Sequence, residues 1–481
     1  MRIPELSIEE ELEIFANELK RFFTKNEIEQ IARKVGFVRR KGKISAWEFV
    51  ALCAFMNVDV AKTPLVELAS ALSTGDGPIV SSQAIDKRFN EKCVEFLKEI
   101  VSRLLINKIL SDTSVLTEID NYFNRIIILD ATSFQIPETY KNAYPGSGGN
   151  AQPAGMKIQL ELELKSGNCI FLEVGAGSSD DSTFAKKSNK TINKGDLALR
   201  DLGYFSIENF REIDKKDAFY ISRLKPNIAI YIDNDDIEYF ASGISKKTSL
   251  YKRIYLQDIM KEMEEGETRE LSNVYVGRDE KLKTRLIIYK LTKEQLEERK
   301  KDVEKKAKKK GIVKSKNTME LLEVSTYITN IDADVLTANQ IYEMYSLRWQ
   351  VEVVFKIWKS LFHIQNIKKV KIERIECQLY GKLILFLLSS TVMCKMRRLL
   401  LLKKKKEASE IKLAEIIHKH IQYLYIKLID ANTKAIVNIL IKIFENISKN
   451  GEKSHKKGKK TVFDILGVSY RKAKKDLIKI A

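Results

Sequence analysis

The chain has 481 residues, with 84 Lys and Arg against 65 Asp and Glu, and a formal net charge of +19 at pH 7. Hydrophobic residues make up 44% of the chain, which excludes wholesale disorder, and the length predicts several domains. The excess of basic over acidic residues predicts a polyanionic partner, and nucleic acid is the simplest such partner.

Cysteine and histidine are too scattered to predict a zinc site. The five cysteines have no CxxC spacing, and the four histidines do not cluster with them. A disulfide scaffold is likewise not expected, and the N-terminal segment has no signal-peptide pattern. The most apolar run, LILFLLSSTVMC (383–394), is short for a bilayer crossing and predicts a buried helix. We therefore expect a cytoplasmic protein with no membrane partner.

Residues 1–120 are predicted to form a helical N-terminal DNA-binding domain. Apolar residues recur at helical spacing in PELSIEEELEIFANELKRFFT, SAWEFVALCAFMNV and CVEFLKEIVSRLLINKIL. After STGDGP, a serine pair can cap a further helix that carries Lys87, Arg88 and Lys92. Such a pair of short helices permits a helix-turn-helix, so Lys87 and Arg88 are candidate DNA contacts. A merely solvated basic face is the alternative.

The pattern changes across residues 121–225, where strands mix with helices. RIIILD is rich in β-branched residues and predicts a buried strand that ends at Asp130. MKIQLELELKSG and NCIFLEVGAG predict a hairpin, and a helical stretch then leads to a further strand that is expected to end close to Asp201. A helix in IENFREIDKKD and a strand in AFYISRLK follow. The order β-β-β-α-β-α-β predicts an α+β fold with a mixed central sheet flanked by helices.

Residues 226–330 are predicted to form a β-rich insertion with one charged helix. NVYVGRD, TRLIIYKL and LLEVSTYITN predict strands, and LTKEQLEERKKDVEKKAKKKG predicts the helix. The lysine-rich run 305–310 could contact phosphates, although a charge run is more often simply solvated. Residues 331–370 are expected to complete the sheet domain, and residues 371–481 to form a helical region with a basic tail.

Two aspartates stand out because each follows a hydrophobic strand. Asp130 and Asp201 are expected at strand carboxyl ends, where open α/β sheets place their ligands. An aspartate there is commonly only a loop or cap residue. Asp180, Asp181 and Asp196 are local competitors of the same kind.

A third acid, Glu352, lies in IYEMYSLRWQVEVVFKIWKS (341–360), which is predicted to be one helix starting after DVLTANQ. On a continuous helix, four other polar side chains fall within about 40° of Glu352; they are Tyr345, Arg348, Lys356 and Lys359. Charges spaced four apart also stabilise any solvated helix, and that is the ordinary explanation of this stretch.

The three carboxylates favour a metal-dependent reaction on phosphodiesters. Three acids that converge repel one another unless cations neutralise them, and Mg²⁺ prefers such oxygen ligands. Two ions can activate an attacking oxygen and stabilise a leaving oxygen in phosphodiester displacement. The basic side chains near Glu352 would then face DNA phosphates.

YSLRWQVEVVFKIWK resembles the YREK signature of bacterial insertion-sequence DDE transposases. The pattern Tyr-(2)-Arg-(3)-Glu-(6)-Lys is met by Tyr345, Arg348, Glu352 and Lys359. RDLGYFS is similar to the motif around the family's second aspartate, and LDATSFQIP to the segment around its first. YISRLK is similar to the strand that follows the second aspartate. The resemblance covers residues 120–390.

The resemblance implies a ribonuclease-H-like catalytic domain in which Asp130, Asp201 and Glu352 hold two Mg²⁺ ions, with Mn²⁺ as a possible substitute. It implies a DNA transposase that binds the terminal inverted repeats of its own insertion sequence as a homodimer. Cut-and-paste excision and strand transfer into target DNA would follow.

The same resemblance implies a set of DNA contacts near the reacting strand. Tyr345, Arg348 and Lys359 would bind phosphates and steady a flipped base. Flipped bases generally need an aromatic surface, and Trp349 is a candidate, while Trp358 is expected in the core. Further candidate DNA contacts are Lys356 and Arg223.

Two alternatives remain open at this point. A metal-dependent nuclease of the same fold needs the same three acids but joins no strands. A non-catalytic DNA-binding derivative needs none of them, and the presence of all three acids argues against it.

Overall fold

The computed structural model describes residues 6–21, 23–40, 42–74, 77–106, 117–148, 152–242, 244–246, 249–310, 319–455 and 459–468, apart from the side chains of residues 306 and 308–310. The strands are β1 Ile126–Gln135, β2 Gly155–Glu163, β3 Cys169–Ala176, β4 Leu197–Arg200, β5 Phe219–Arg223, β6 Ile230–Asp233, β7 Tyr251–Ile254, β8 Thr268–Val276, β9 Leu282–Lys290 and β10 Val324–Thr329.

The helices account for most of the remaining described chain. They are α1 Ile8–Lys20, α2 Lys25–Lys34, α3 Ala46–Val50 (followed by a π-helical turn, Ala51–Phe55), α4 Leu65–Leu72, α5 Ser82–Arg88, α6 Glu91–Ile106, α7 Asp181–Ser188, α8 Ile207–Asp214, α9 Leu256–Lys261, α10 Lys293–Lys310, α11 Ala338–Ser346, α12 Gln350–Ser360, α13 Ile372–Lys404, α14 Glu410–Ile429, α15 Thr433–Asn450 and α16 Val462–Leu466. The α+β prediction is confirmed.

The chain forms two compact units. The first comprises Met1–Glu118, Ala131–Ser179 and Gln350–Ala481, and the second comprises Ile119–Asp130 and Asp180–Trp349. Strand β1 supplies its first five residues to the second unit and the rest to the first.

In the second unit the strand order is β1-β4-β5-β10-β9-β8-β6-β7. Strands β1, β4 and β5 are parallel, and the later strands join antiparallel from β10 outward. The apolar start of β1, Ile126–Leu129, is completely buried, as its β-branched sequence predicts. The predicted order β-β-β-α-β-α-β from β1 to β5 is confirmed.

Strand β1 does not end at Asp130, as the sequence suggested, but continues to Gln135. Its pairing with β4 stops one residue earlier, at Leu129 opposite Arg200. Beyond that point β1 belongs to the first unit, where the strand order is β3-β2-β1. The apolar run therefore marks only the half of the strand that is buried on both faces.

The first unit holds the predicted hairpin of β2 and β3 together with α1–α6 and α12–α16. Within the described residues, α13 is the one helix long and apolar enough to cross a membrane, but 83% of its apolar window is buried inside the protein. The prediction that residues 383–394 form a buried helix is confirmed.

The predicted helix with three basic residues is shorter than expected. Ser81 caps α5, as predicted, but α5 ends at Arg88 and Lys92 lies in α6. The cause is Asn90, whose Oδ1 accepts hydrogen bonds from the backbone N–H groups of Lys92 (3.0 Å) and Cys93 (3.2 Å) and so caps a new helix.

The stretch 341–360 is likewise not one helix. Helix α11 begins earlier than predicted, because Thr337 and Gln340 form a capping box in front of it. A 3₁₀ turn, Leu347–Trp349, then separates α11 from α12. The angular separations calculated for one continuous helix therefore do not apply between Glu352 and either Tyr345 or Arg348.

Candidate active site

Asp130 and Asp201 lie side by side on neighbouring parallel strands. Leu129 of β1 is opposite Arg200 of β4, and the two aspartates are the residues that follow these two, so they are level with each other. Neighbouring strands are about 4.8 Å apart, which brings the two carboxylates within reach of one ligand. Asp201 leaves the sheet at this point and begins a 3₁₀ turn, Leu202–Tyr204.

The guanidinium of Arg348 contacts both of these carboxylates. Its Nη1 donates a hydrogen bond of 2.6 Å to Asp130 Oδ2, and its Nε lies 3.8 Å from Asp201 Oδ1. The Arg348 side chain is 9% exposed, whereas that of Asp201 is 39% exposed. One buried positive charge thus lies between two negative charges, and the group of three carries a net negative charge.

Tyr345 supports Asp201 from the same segment. Its hydroxyl donates a hydrogen bond of 3.2 Å to Asp201 Oδ1. Burial, followed by the charge of Asp201, raises the pKa of Tyr345 well above its usual value. The Tyr345 ring packs edge-on against Tyr327, with ring centroids 5.1 Å apart, so the hydroxyl is held in place as a donor.

Arg223 and Trp349 lie in the same unit as these acids. Arg223 ends β5 and follows Ser222, which is opposite Arg200, so Arg223 is level with Asp201 in the sheet. Its Nε is buried and has no hydrogen-bond partner among the described residues. Trp349 is 58% exposed, and the Arg348 guanidinium lies 5.5 Å from the centre of its ring.

The other residues of the predicted polar group belong to α12 in the first unit. Glu352 is half-buried in the first turn of this helix, and Lys356 is exposed. Lys359 Nζ donates to Ser133 O at 3.3 Å, and burial lowers the pKa of Lys359. Trp358 is 1% exposed, which confirms its predicted place in the core.

Two of the three competing aspartates have local structural roles. Asp196 precedes β4 and forms a two-point ion pair with Arg125. Asp180 caps α7 by accepting a hydrogen bond of 2.8 Å from Thr183 N. Hydrogen bonds from Ser182 and Thr183 lower the pKa of Asp180, which is the usual effect of a helix cap.

Of the two N-terminal candidates, Lys87 is exposed and Arg88 turns inward. Arg88 Nη2 donates to Ile44 O at 2.5 Å, and its guanidinium lies 5.1 Å from the Phe37 ring centre. Burial lowers the pKa of Arg88. The basic tail that was also predicted is described only in part, since residues 456–458 and 469–481 lie outside the described residues.

Sequence reasoning gave no role to Tyr204, although it lies in the quoted RDLGYFS motif. Tyr204 is 2% exposed, and burial raises its pKa far above normal. The charges of Asp181 and then Asp130 act on its pKa in the same direction. The only signal available was its place three residues after Asp201.

The donor set at the strand ends fits a hard divalent cation. Asp130 and Asp201 offer only carboxylate oxygens, and Mg²⁺ typically takes one or two carboxylates together with phosphate and water. Across the described ranges, no group of three or more His, Cys, Asp and Glu side chains could hold a metal ion. The second unit therefore brings two of the three predicted acids together, with Arg348 as their present counter-charge.

The chain is similar to known insertion-sequence transposases over nearly its whole length. It is 46% identical over 465 residues to the transposase for insertion sequence element IS231E of Bacillus thuringiensis subsp. finitimus, covering 97% of each chain. It is 37% identical over 455 residues to the transposase for insertion sequence element IS1151 of Clostridium perfringens, covering 95% of this chain and 96% of the relative.

A solved structure of the piggyBac transposase synaptic complex with hairpin DNA aligns with a TM-score of 0.43 and 11% identity, covering 92% of this chain and 86% of that one. The family described as "Transposase DDE domain" matches residues 121–388, close to the range 120–390 that carries the resemblance. Such domains act on DNA as polynucleotidyl transferases and use divalent metal ions. The chain belongs to this DDE transposase family, with insertion-sequence transposases as its relatives.

Proposed function

We propose that this transposase binds the terminal inverted repeats of its own element and moves that element by cut-and-paste excision and strand transfer. The observation that carries the proposal is the position of Asp130 and Asp201, level with each other on two parallel strands. Open sheets bind their ligands at such strand ends. The YREK residues Tyr345 and Arg348 contact these same two acids.

In this proposal Asp130, Asp201 and Glu352 hold two Mg²⁺ ions, for which Mn²⁺ can substitute. The ions supply activation of the attacking oxygen and stabilisation of the leaving oxygen during phosphodiester hydrolysis and transesterification. Tyr345 positions Asp201 through the hydrogen bond that its hydroxyl donates.

Basic and aromatic residues near the acids contact the DNA. Arg223 is suited to a phosphate, because its buried Nε has no hydrogen-bond partner among the described residues. Trp349 is suited to an extruded base, because more than half of its side chain is exposed. The remaining DNA contacts that we propose are Tyr345, Arg348, Lys356 and Lys359 near the acids and Lys87 and Arg88 in the N-terminal helices.

The partner is double-stranded DNA, first the element's ends and then the target. The positive excess of Lys and Arg over Asp and Glu supports a polyanionic partner. We propose a homodimer in the DNA complex, since two ends have to be cut and joined together. The reaction takes place on bacterial DNA in the cytoplasm.

The test compares the wild type with Asp130→Asn and with Asp217→Asn, an exposed control in the same unit that pairs with Lys194. Purified protein is incubated with Mg²⁺ and the DNA that flanks its own gene, and nicks and joined products are mapped. Asp130→Asn should abolish cleavage and keep end binding, while the control cleaves normally. Full-rate cleavage by Asp130→Asn would show that Asp130 is not a metal ligand.

The same assay separates the proposal from the alternatives. Hydrolysis by the wild type without any strand transfer indicates a metal-dependent nuclease of this fold. End binding without cleavage under all metal conditions indicates a non-catalytic DNA-binding derivative.

A further inference from the structure

The Arg348 guanidinium contacts both of the aspartates that would hold divalent ions in the proposed function. It donates to Asp130 Oδ2 at 2.6 Å and lies 3.8 Å from Asp201 Oδ1. Only 9% of its side chain is exposed, so water screens these contacts poorly. A positive charge of the chain itself thus neutralises part of the carboxylate pair.

Arg348 and a divalent ion compete for the same oxygen atoms. A guanidinium donates its hydrogen bonds to the carboxylate lone pairs that a metal ion also uses. Mg²⁺ binds its ligand oxygens at about 2.0–2.1 Å, so a Mg²⁺ ion and the guanidinium on one carboxylate repel each other. The Arg348 guanidinium therefore opposes metal binding at Asp130 as long as it stays on Asp130 Oδ2.

The local structure allows Arg348 to leave Asp130. Arg348 is the middle residue of the 3₁₀ turn Leu347–Trp349, and short 3₁₀ stretches inside helical segments often mark hinges. The rings of Trp349 and Tyr345 lie 5.5 Å and 6.0 Å from the guanidinium, and aromatic faces attract such cations. These rings can therefore hold the side chain when it leaves the acids.

We propose that Arg348 is an internal counter-cation that couples metal binding to DNA binding. Without DNA it holds Asp130 and Asp201 and opposes entry of divalent ions. A DNA phosphate accepts a guanidinium as well as a carboxylate does, so bound DNA draws Arg348 away and frees both acids for metal. By linkage, metal in turn favours DNA binding to the same degree. This inference rests on the proposed function, which makes Asp130 and Asp201 metal ligands.

The test measures Mn²⁺ binding to the full chain without DNA, from the electron paramagnetic resonance signal of free Mn²⁺. Arg348→Met, which keeps the length of the side chain and removes its charge, should bind Mn²⁺ about tenfold more tightly than the wild type. The control is Arg211→Met, which removes a different arginine of the second unit that pairs with Glu280, and it should bind like the wild type. Equal or weaker binding by Arg348→Met overturns the inference.

A second measurement adds a duplex from the DNA that flanks the gene. The wild type should bind Mn²⁺ about tenfold more tightly with the duplex than without it, and Arg348→Met should show no such gain. Asp130→Asn with the same duplex serves as the blank for Mn²⁺ bound by the DNA. Where Arg348→Met fails to fold, the wild type alone decides, because equal affinities with and without DNA overturn the inference.

Asp130→Asn also distinguishes this inference from the proposed function. Wild-type Mn²⁺ affinity in Asp130→Asn, measured without DNA, contradicts the metal assignment itself. Weakened affinity in Asp130→Asn together with unchanged affinity in Arg348→Met leaves the metal assignment standing and rejects only the coupling role of Arg348.

Discussion

The paired segment of β1 and β4 carries an arginine–aspartate arrangement at each of its two ends. At the amino end, Arg125 Nε donates to Asp196 Oδ1 at 2.9 Å while its Nη2 donates to Oδ2. The backbone N–H of Asn193 also donates to Asp196 Oδ2, at 2.7 Å. Each of the two carboxylate oxygens is hydrogen-bonded, and the Asp196 side chain is only 1% exposed.

At the other end, one arginine contacts two carboxylates, one of them more closely than the other. Arg348 comes from a distant segment, donates to Asp130 and stays 3.8 Å from Asp201, whose side chain is 39% exposed. The amino end is thus a balanced ion pair of the kind that stabilises a fold, whereas at the other end a single guanidinium is shared unequally between two carboxylates. The difference teaches that unequal sharing of one arginine, rather than the presence of an ion pair, separates the proposed ligand site from the structural pair.

The largest expected effect follows from Asp201→Asn. Loss of this carboxylate should reduce the single-turnover rate of DNA cleavage on the order of 10³-fold or more, because the proposed metal site loses a ligand. The midpoint of thermal unfolding should change little, since the Asp201 side chain is 39% exposed and Arg348 keeps its hydrogen bond to Asp130. Rate and unfolding are measured on the same preparation, and a large loss of stability would contradict the comparison.

The matching substitution at the amino end, Asp196→Asn, should have the opposite profile. It breaks a two-point pair in which Asp196 is buried and Arg125 is 23% exposed, and should lower the free energy of unfolding by about 2–3 kcal/mol. Denaturant unfolding gives this value. Below the unfolding transition the folded protein should cleave DNA at a rate near that of the wild type. Abolished cleavage at full stability would assign Asp196 to the active site.

Much of this arrangement could be predicted from the sequence, because local patterns specify it. The β-branched run before Asp130 and the short apolar run before Asp201 correctly located β1 and β4. Gly195, with φ of +75°, marks the turn into β4, and that turn was an available sign that Asp196 directly precedes the strand. Asp201 follows the end of the same strand.

The rest depended on contacts that no local pattern records. Arg125 and Asp196 are 71 residues apart, and Arg348 and Asp130 are 218 residues apart. LRW contains no glycine or proline to signal the 3₁₀ turn at 347–349, so a continuous helix was predicted. Strands β6 and β7 were missed because each has only four residues and mixes polar with apolar side chains.

Trp349→Ala tests the exposed tryptophan next to Arg348, the arginine that contacts Asp130 and Asp201. Loss of an aromatic surface for one base should weaken the binding of DNA with an unpaired base at the element's end by about 1–2 kcal/mol. Stability should change little, since the ring is 58% exposed. Fluorescence anisotropy measures the affinity, and Trp349→Phe, which keeps a stacking surface, should recover most of it. Unchanged affinity in Trp349→Ala would mean that this tryptophan receives no base.

The smallest expected effect, and the one that sharpens the comparison most, concerns Arg223→Met. The buried Nε of Arg223 has no hydrogen-bond partner among the described residues, so removing the guanidinium relieves a cost of burial. The free energy of unfolding should stay constant or increase slightly. The free energy of DNA binding should weaken by about 1 kcal/mol. The slope of the logarithm of the binding constant against the logarithm of salt concentration should become shallower by the amount that corresponds to one phosphate contact. Arg211→Met, at an exposed ion pair, is the matched control and should leave the salt dependence unchanged. If Arg223→Met destabilised the protein as strongly as Asp196→Asn does, Arg223 would have a structural role like that of the Arg125–Asp196 pair.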